Sequence, residues 1–359
     1  MAENNMCVIY LLQAGTKGYK ENGRFIVEKT DGTKDSIPLS EIESVIIGQH
    51  AQLTTQTVFE FLKRKVPLFY IGRDGKIVGS LASERNSLRL LQQQLNSFAD
   101  EKICIVLARE IIGRKLAAQM AMLKYYRKRN KSNALLHAIK EIEKRFYMLN
   151  RIMDVDTLRG VEGIAAKNYF SVFGEIVLTP GWEWQGRQQH PAPDPLNALL
   201  SYGYWFLERE VRIALAGTEL DCRIGFMHSN NGRKDSLVYD VMELFRQKII
   251  DRFVLSLVNR KLISSDLFLI GEGRCFLTEE GKRKWIVAYE EYMCKALQEY
   301  GGKTPRQWIY REVKKFERLI KEIMREAEGK SKLSENGSGI VELTKNAETR
   351  YNKGKLEKS

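Results

Sequence analysis

The sequence predicts an α+β protein: a small N-terminal β domain followed by a larger, mainly α-helical domain. Three observations carry this prediction. Residues 6–80 alternate short apolar runs with turn signals, residues 79–84 are small and polar, and the chain beyond them runs in long stretches of helical period with few prolines. The expected boundaries are 1–80 for the β domain, 81–86 for a linker, 87–328 for the helical domain and 329–359 for a disordered basic tail. A length of 359 residues suffices for two cores, and 43% hydrophobic with 29% charged residues is the composition of a folded globular chain.

Taken in order, strands are expected at 7–12, 25–28, 45–47, 68–71 and 77–78. The turns between them fall at Glu21-Asn22-Gly23, Asp31-Gly32 and Arg73-Asp74-Gly75-Lys76, where Gly and Asn tolerate positive φ. Residues 54–64 interrupt the strands with Val58, Phe59, Phe61 and Leu62 in a short helical pattern. Helices are expected at 88–95, 103–123, 134–149, 163–173, 196–216, 237–257, 285–297 and 305–327. Residues 179–195 hold four of the seven prolines with Gly181, Trp182, Trp184 and Gly186, which reads as a loop that covers or enters a groove. Residues 277–282 read as a turn opening a helix, and 340–343 as an apolar island able to dock as a strand on a partner.

Lys and Arg number 58 against 45 Asp and Glu, a formal charge of +13, which favours a polyanionic partner. A membrane surface is the alternative. No apolar run reaches the roughly 18 to 20 residues of a spanning helix, and the first residues lack a signal-peptide pattern, so a soluble cytoplasmic protein with no membrane partner is expected. Five scattered cysteines without a C-x-x-C spacing suggest neither a disulfide framework nor a structural zinc site. The only histidines are His50, His137, His190 and His228.

Chemistry concentrates between residues 160 and 246. In the helix expected at 237–257, Val238, Met242, Phe245 and Ile249 share one face, and Asp240, Glu243 and Gln247 fall opposite. Carboxylates three residues apart can approach one cation; the other reading is a solvated acidic face. Glu162 heads the helix expected at 163–173. There it either compensates the helix dipole or, since Ala165-Ala166 permits close helix approach, enters an interior groove. His228 ends the apolar run 224–227 and precedes a polar loop; a lone histidine is otherwise structural. One imidazole with two or three carboxylates and no thiolate suits Mg²⁺ or Mn²⁺, the nitrogen favouring Mn²⁺, and such a metal polarises a phosphodiester. For substrate phosphates, Arg109, Arg114, Lys115, Lys124, Arg127, Lys128, Arg129 and Lys131 cluster with Tyr125 and Tyr126, the alternative being a solvated face. Arg223, Arg233, Lys234 and Arg246 lie nearer the acidic cluster and are candidates for gripping the scissile phosphate.

Residues 160–170 (GVEGIAAKNYF), 194–204 (DPLNALLSYGY), 225–228 (GFMH) and 235–246 (DSLVYDVMELFR) resemble the motifs of the CRISPR-associated adaptation integrases, the Cas-one family. The resemblance implies that the helical domain is catalytic, that Glu162, His228 and Glu243 ligate the metal, and that Asp240 is a nearby acidic partner. It implies a homodimer that joins a small ferredoxin-like companion subunit, the Cas-two protein, and inserts short double-stranded DNA into a repeat array. The nucleophile would be a DNA 3′-hydroxyl, so no protein Ser or Cys is required. Lys167 stands where the family often has arginine, which keeps the charge and loses bidentate geometry. Two alternatives remain open: a structure-selective nuclease for branched DNA, and a non-catalytic DNA-binding scaffold whose acidic cluster is structural.

Overall fold

A computed structural model describes residues 7–72, 77–81, 88–188, 191–228 and 235–333, with side chains through residue 326. The chain divides into two compact units, residues 1–91 with 212–220 and residues 92–211 with 221–359. A β region is followed by a mainly helical one, the predicted α+β layout.

The first unit contains β1 (Cys7–Leu11), β2 (Lys17–Glu21), β3 (Arg24–Glu28), β4 (Lys34–Pro38), β5 (Ile42–Gly48), β6 (Gln52–Leu53), α1 (Thr55–Lys63), β7 (Leu68–Ile71) and β8 (Ile77–Leu81). One sheet has the order β1-β5-β7-β8, with β1, β5 and β7 parallel and β8 antiparallel. Successive side chains of a strand point to opposite faces, so the near-continuous apolar runs of the parallel strands feed two cores. Ile9, Leu11, Val45, Ile47 and Leu68 pack with Phe25 and Phe61, whereas Ile46, Phe69 and Ile71 pack with Ile213. The second sheet, β4-β3-β2-β6, holds the antiparallel meander of β2, β3 and β4. Asn22 and Gly23 both take positive φ, 46° and 76°, which closes the β2–β3 hairpin at the predicted turn. Strands β2 and β4 are not predicted, because Lys17, Lys20, Glu21, Lys34, Asp35 and Ser36 are exposed and leave no apolar alternation to read. The turn expected at 73–76 lies outside the described residues, as does the expected linker apart from Leu81.

The helices are α2 (Leu88–Ala99), α3 (Glu101–Arg127), α4 (Asn133–Met148), α5 (Val155–Ser171), α6 (Pro195–Ala216), α7 (Ser236–Met242), α8 (Arg252–Asn259), α9 (Glu279–Cys294) and α10 (Pro305–Leu333). The long helix α3 packs against α4, α5 and a π-helical segment, Arg246–Asp251, that precedes α8. Helix α10 continues past Gly329 to Leu333, and the rest of the expected tail, with its 340–343 island, lies outside the described residues.

Three expectations are corrected. The helix expected at 163–173 begins at Val155, where the Asp154 carboxylate accepts the Thr157 N–H at 2.7 Å. Gly160 and Gly163 sit inside it beside open space, so they weaken the helix without breaking it. The continuous helix expected at 237–257 is interrupted: Leu244 and Phe245 donate to Val241 and Met242, three residues back, and the turns then widen into the π segment. A hairpin, β9 (Phe268–Gly271) and β10 (Arg274–Leu277), lies in the helical region where none is expected. The loop at 179–195 is pinned: Trp184 donates to the Phe170 carbonyl at 2.7 Å, and Asn197 holds the Gly186 carbonyl at 2.9 Å. Among the described residues no helix is long and apolar enough to cross a membrane.

Candidate metal centre

Four chain segments of the second unit meet at the candidate site: α3 brings Lys115, α5 brings Glu162, the stretch before residue 229 brings His228, and α7 with the turn after it brings Asp240 and Glu243.

The stretch at 221–228 is irregular, so its backbone groups need partners from outside. Gln94, fully buried on α2, satisfies three of them: its Oε1 accepts the Asp221 N–H at 2.9 Å, and its amide donates to the Asp221 and Ile224 carbonyls at 3.0 and 3.1 Å. Asp240 supplies the partner for three more. Its carboxylate is fully buried and accepts the N–H groups of Phe226, Met227 and His228 at 2.8, 3.1 and 2.9 Å. Gly225 permits this approach, since a Cβ there would lie 2.7 Å from Asp240 Oδ2 and 2.6 Å from Ser236 Cβ.

The same carboxylate meets the His228 ring, with Nδ1 at 2.5 Å from Asp240 Oδ1. An acceptor at Nδ1 selects the tautomer protonated there and leaves Nε2, with its lone pair, as the nitrogen able to ligate. Asp240 is therefore a positioning residue, spent on the loop and on His228.

Glu243 is buried and faces two cations: Oε1 accepts from Arg246 at 2.8 Å, and Oε2 lies 2.6 Å from the Lys115 ammonium. The Lys115 contact is a close, buried ion pair that holds Oε2. Burial pushes the Glu243 carboxyl up, but Arg246 and Lys115, with a contribution from His228, outweigh it and hold the group ionised, down to about 2. Lys115 also bonds Glu162 Oε1. Burial disfavours its charge, and Glu243 and Glu162 restore it, leaving the ammonium more firmly protonated than an ordinary lysine. Arg246 lies 4.6 Å from the Tyr204 ring centre. Asp251, at the end of the π segment, accepts from the Tyr169 and Tyr204 hydroxyls at 3.0 and 2.5 Å, tying α5 and α6 to the element that carries Arg246. Burial lifts the Asp251 carboxyl to about 6 against the pull of those hydroxyls and of Arg187 and Arg246.

Several residues thus differ from expectation. Asp240, Glu243 and Gln247 are buried, which excludes the solvated acidic face. Asp240 and Glu243 do not share a cation, because one turns to the loop and the other to α3. Glu162 stands two turns inside α5 and does not compensate a helix terminus. Lys115, expected among residues that meet phosphates, is buried between carboxylates. Its position on the stripe of Ile111, Ile112, Leu116 and Gln119 was the legible signal. Lys167 is exposed on α5, and Arg223 is exposed and paired with Asp221 at 2.5 Å. Arg246 is committed to Glu243 and is no surface grip, while Arg233 and Lys234 lie outside the described residues.

The donor chemistry fits a hard divalent cation: two carboxylates, an imidazole with Nε2 available, and an ammonium standing in for a cation between the carboxylates. Among the described residues, no three His, Cys, Asp or Glu side chains are gathered to hold a metal as they stand.

The chain is similar to known proteins in sequence and in fold. CRISPR-associated endonuclease Cas1 4 of Methanospirillum hungatei is 32% identical over 290 residues, covering 80% of this chain and 80% of that protein. A CRISPR-associated exonuclease Cas4/endonuclease Cas1 fusion of Leptospira interrogans is 28% identical over 286 residues, 76% of this chain; the match spans only 52% of that longer relative. Among solved structures, a partial Cas6-RT-Cas1–Cas2 complex superposes with a TM-score of 0.72 at 23% identity, covering 88% of this chain and 96% of that one. A casposase bound to integration product superposes with 0.65 at 23%, covering 89% and 96%. At those identities the structures show a shared fold. The family model for CRISPR associated protein Cas1 matches residues 9–291, a span that takes in the β region and every element carrying Lys115, Glu162, His228, Asp240 and Glu243, and the chain belongs to that family.

Proposed function

We propose that this protein is a divalent-metal-dependent DNA endonuclease and integrase of CRISPR adaptation, which inserts short double-stranded DNA into a repeat array. The observation that carries the reading is the convergence of Glu162 and Glu243 on one cationic centre, beside a histidine oriented by a buried aspartate. Glu162, Glu243 and His228 Nε2 would hold the ion. Bound there, Mg²⁺ or Mn²⁺ supplies Lewis-acid polarisation of a phosphodiester.

This chain's own residues do the rest. Asp240 keeps the imidazole in its ligating tautomer, Gln94 and Asp240 together hold the stretch that presents it, and Arg246 fixes the Glu243 carboxylate. In the joining step a DNA 3′-hydroxyl forms a new P–O bond as the repeat strand's own P–O bond breaks. The number of phosphodiesters is conserved, and no protein nucleophile is consumed. The +13 charge and the exposed Lys167 and Arg223 support DNA as substrate. Family membership, and the Cas2-bearing and integration-product structures that share the fold, support a homodimer working with a Cas2 subunit.

The test is an integration assay with purified protein, a Cas2 partner, Mg²⁺ or Mn²⁺, short duplex DNA and a repeat-bearing plasmid. Wild type should yield joined products, and Glu162→Ala and His228→Ala should each reduce them by about 100-fold or more. Cut but never joined DNA would assign a branched-DNA nuclease. Full activity in both variants would remove the metal centre from the mechanism.

A further inference from the structure

Lys115 is a residue the metal-centre chemistry does not call for, yet it stands at the middle of it. It is 6% exposed, its ammonium bonds Glu162 Oε1, and it lies 2.6 Å from Glu243 Oε2. These oxygens belong to two of the three proposed metal ligands. A small divalent cation takes carboxylate oxygens at about 2.0 to 2.2 Å and demands near-ideal placement of them. An ammonium that contacts both carboxylates fills that volume and repels a second positive charge.

The two cations on Glu243 differ in mobility. Arg246 is three residues from Glu243 on the same chain segment and lies against the Tyr204 ring, so it is held where it is. Lys115 reaches from α3 on a four-carbon stem whose ammonium is a compact point charge with freely rotating donors. Of the pair, it is the group that can withdraw. With the ammonium in place, the proposed ligands are not gathered around a metal position.

From this we infer that Lys115 is a tethered counter-cation: it neutralises Glu162 and Glu243 in the metal-free protein, must be displaced for a divalent ion to enter, and thereby weakens metal binding. The inference rests on the metal-centre reading above. Lys115 is a positioning residue here, since it acts through the ligands and touches no substrate.

The experiment compares wild type, Lys115→Met, Lys115→Arg and Glu162→Ala by Mn²⁺ calorimetry and by thermal unfolding in EDTA and in Mn²⁺. Lys115→Met should bind Mn²⁺ about tenfold more tightly or better, since a competing charge has been removed. In EDTA it should melt below wild type, because the buried Glu243 and the half-buried Glu162 have lost a shared partner, and Mn²⁺ should raise its Tm by more than it raises that of wild type. Lys115→Arg, which keeps the charge, should bind no more tightly than wild type. A Lys115→Met protein that folds only with Mn²⁺ supports the inference. One that binds Mn²⁺ equally or more weakly than wild type, or fails to fold even with Mn²⁺, overturns it, and Lys115 then holds the ligands in place. Mn²⁺ binding that does not depend on Glu162 in any variant overturns the metal-centre reading itself, a result distinct from the previous one.

Discussion

Asp240 illustrates how one buried carboxylate is used completely. Three backbone N–H groups and one imidazole nitrogen converge on its two oxygens, and no solvent reaches it. An acceptor-only group suits this position, because each neighbour presents a donor. Asp240→Asn keeps the shape but turns an amide N–H toward a donor, which strands buried hydrogen bonds and frees the His228 ring. We expect Mn²⁺ affinity to fall by about 10- to 100-fold, as for other partners that orient a ligating histidine, and stability to fall by roughly 1 to 3 kcal/mol. Calorimetry and thermal melts check both. Unchanged affinity would mean that Asp240 does not orient His228.

At the scale of elements, the interrupted helix after residue 235 decides where the two acidic side chains go. The tightened turn at 243–245 and the π segment behind it let Asp240 serve the loop while Glu243 meets α3. That π segment packs so closely on α6 that a Cβ on Gly203 would sit 2.5 Å from Ile250 Cγ2. Gly203→Ala should therefore cost about 1 to 3 kcal/mol by overpacking, read by chemical denaturation. Ile250→Leu removes the clashing Cγ2, so the double variant should recover part of that loss. Two simply additive losses would rule out the clash as the cause.

For the whole molecule, buried ion pairs join helices distant in sequence and make stability sensitive to acid. Arg306 of α10 grips Glu210 of α6 at 3.0 and 3.1 Å and Glu290 of α9 at 2.9 Å. Burial alone would raise the Glu210 carboxyl, but Arg306 and Arg209 outweigh it and hold it near 2, below its ordinary 4.5. The folded state thus binds fewer protons than the unfolded one across that window. Its contribution is fully present above pH 4.5 and is lost as pH falls toward about 2, on the order of 3 kcal/mol. Asp251, lifted to about 6, works with the opposite sign and contributes more as pH falls below that value. Melts followed by circular dichroism between about pH 6 and about pH 2.5 should show the acid limb in wild type and a shallower one in Glu210→Gln. Equal limbs would exclude Glu210 as a source of acid sensitivity.

Read alone, the sequence determined the fold class, most helices, the hairpin turn at Asn22-Gly23, and Glu162, His228, Asp240 and Glu243 as the residues to watch. Those features are local: they depend on period, turn chemistry and short motifs, which neighbouring residues encode. The polar strands β2 and β4 escaped because backbone pairing, not side-chain alternation, makes them strands. The true start of α5 was announced by Asp154 and masked by two glycines that the helix tolerates. Only the tertiary structure decided that Asp240 serves the loop, that Arg246 is committed to Glu243, and that Lys115 stands between Glu162 and Glu243. Lys115 and Glu162 lie 47 residues apart on different helices. Whether such charges meet in a buried cluster or face water is set by how α3, α5 and the segment after α7 pack, and that packing has no signature in the local spacing of either partner.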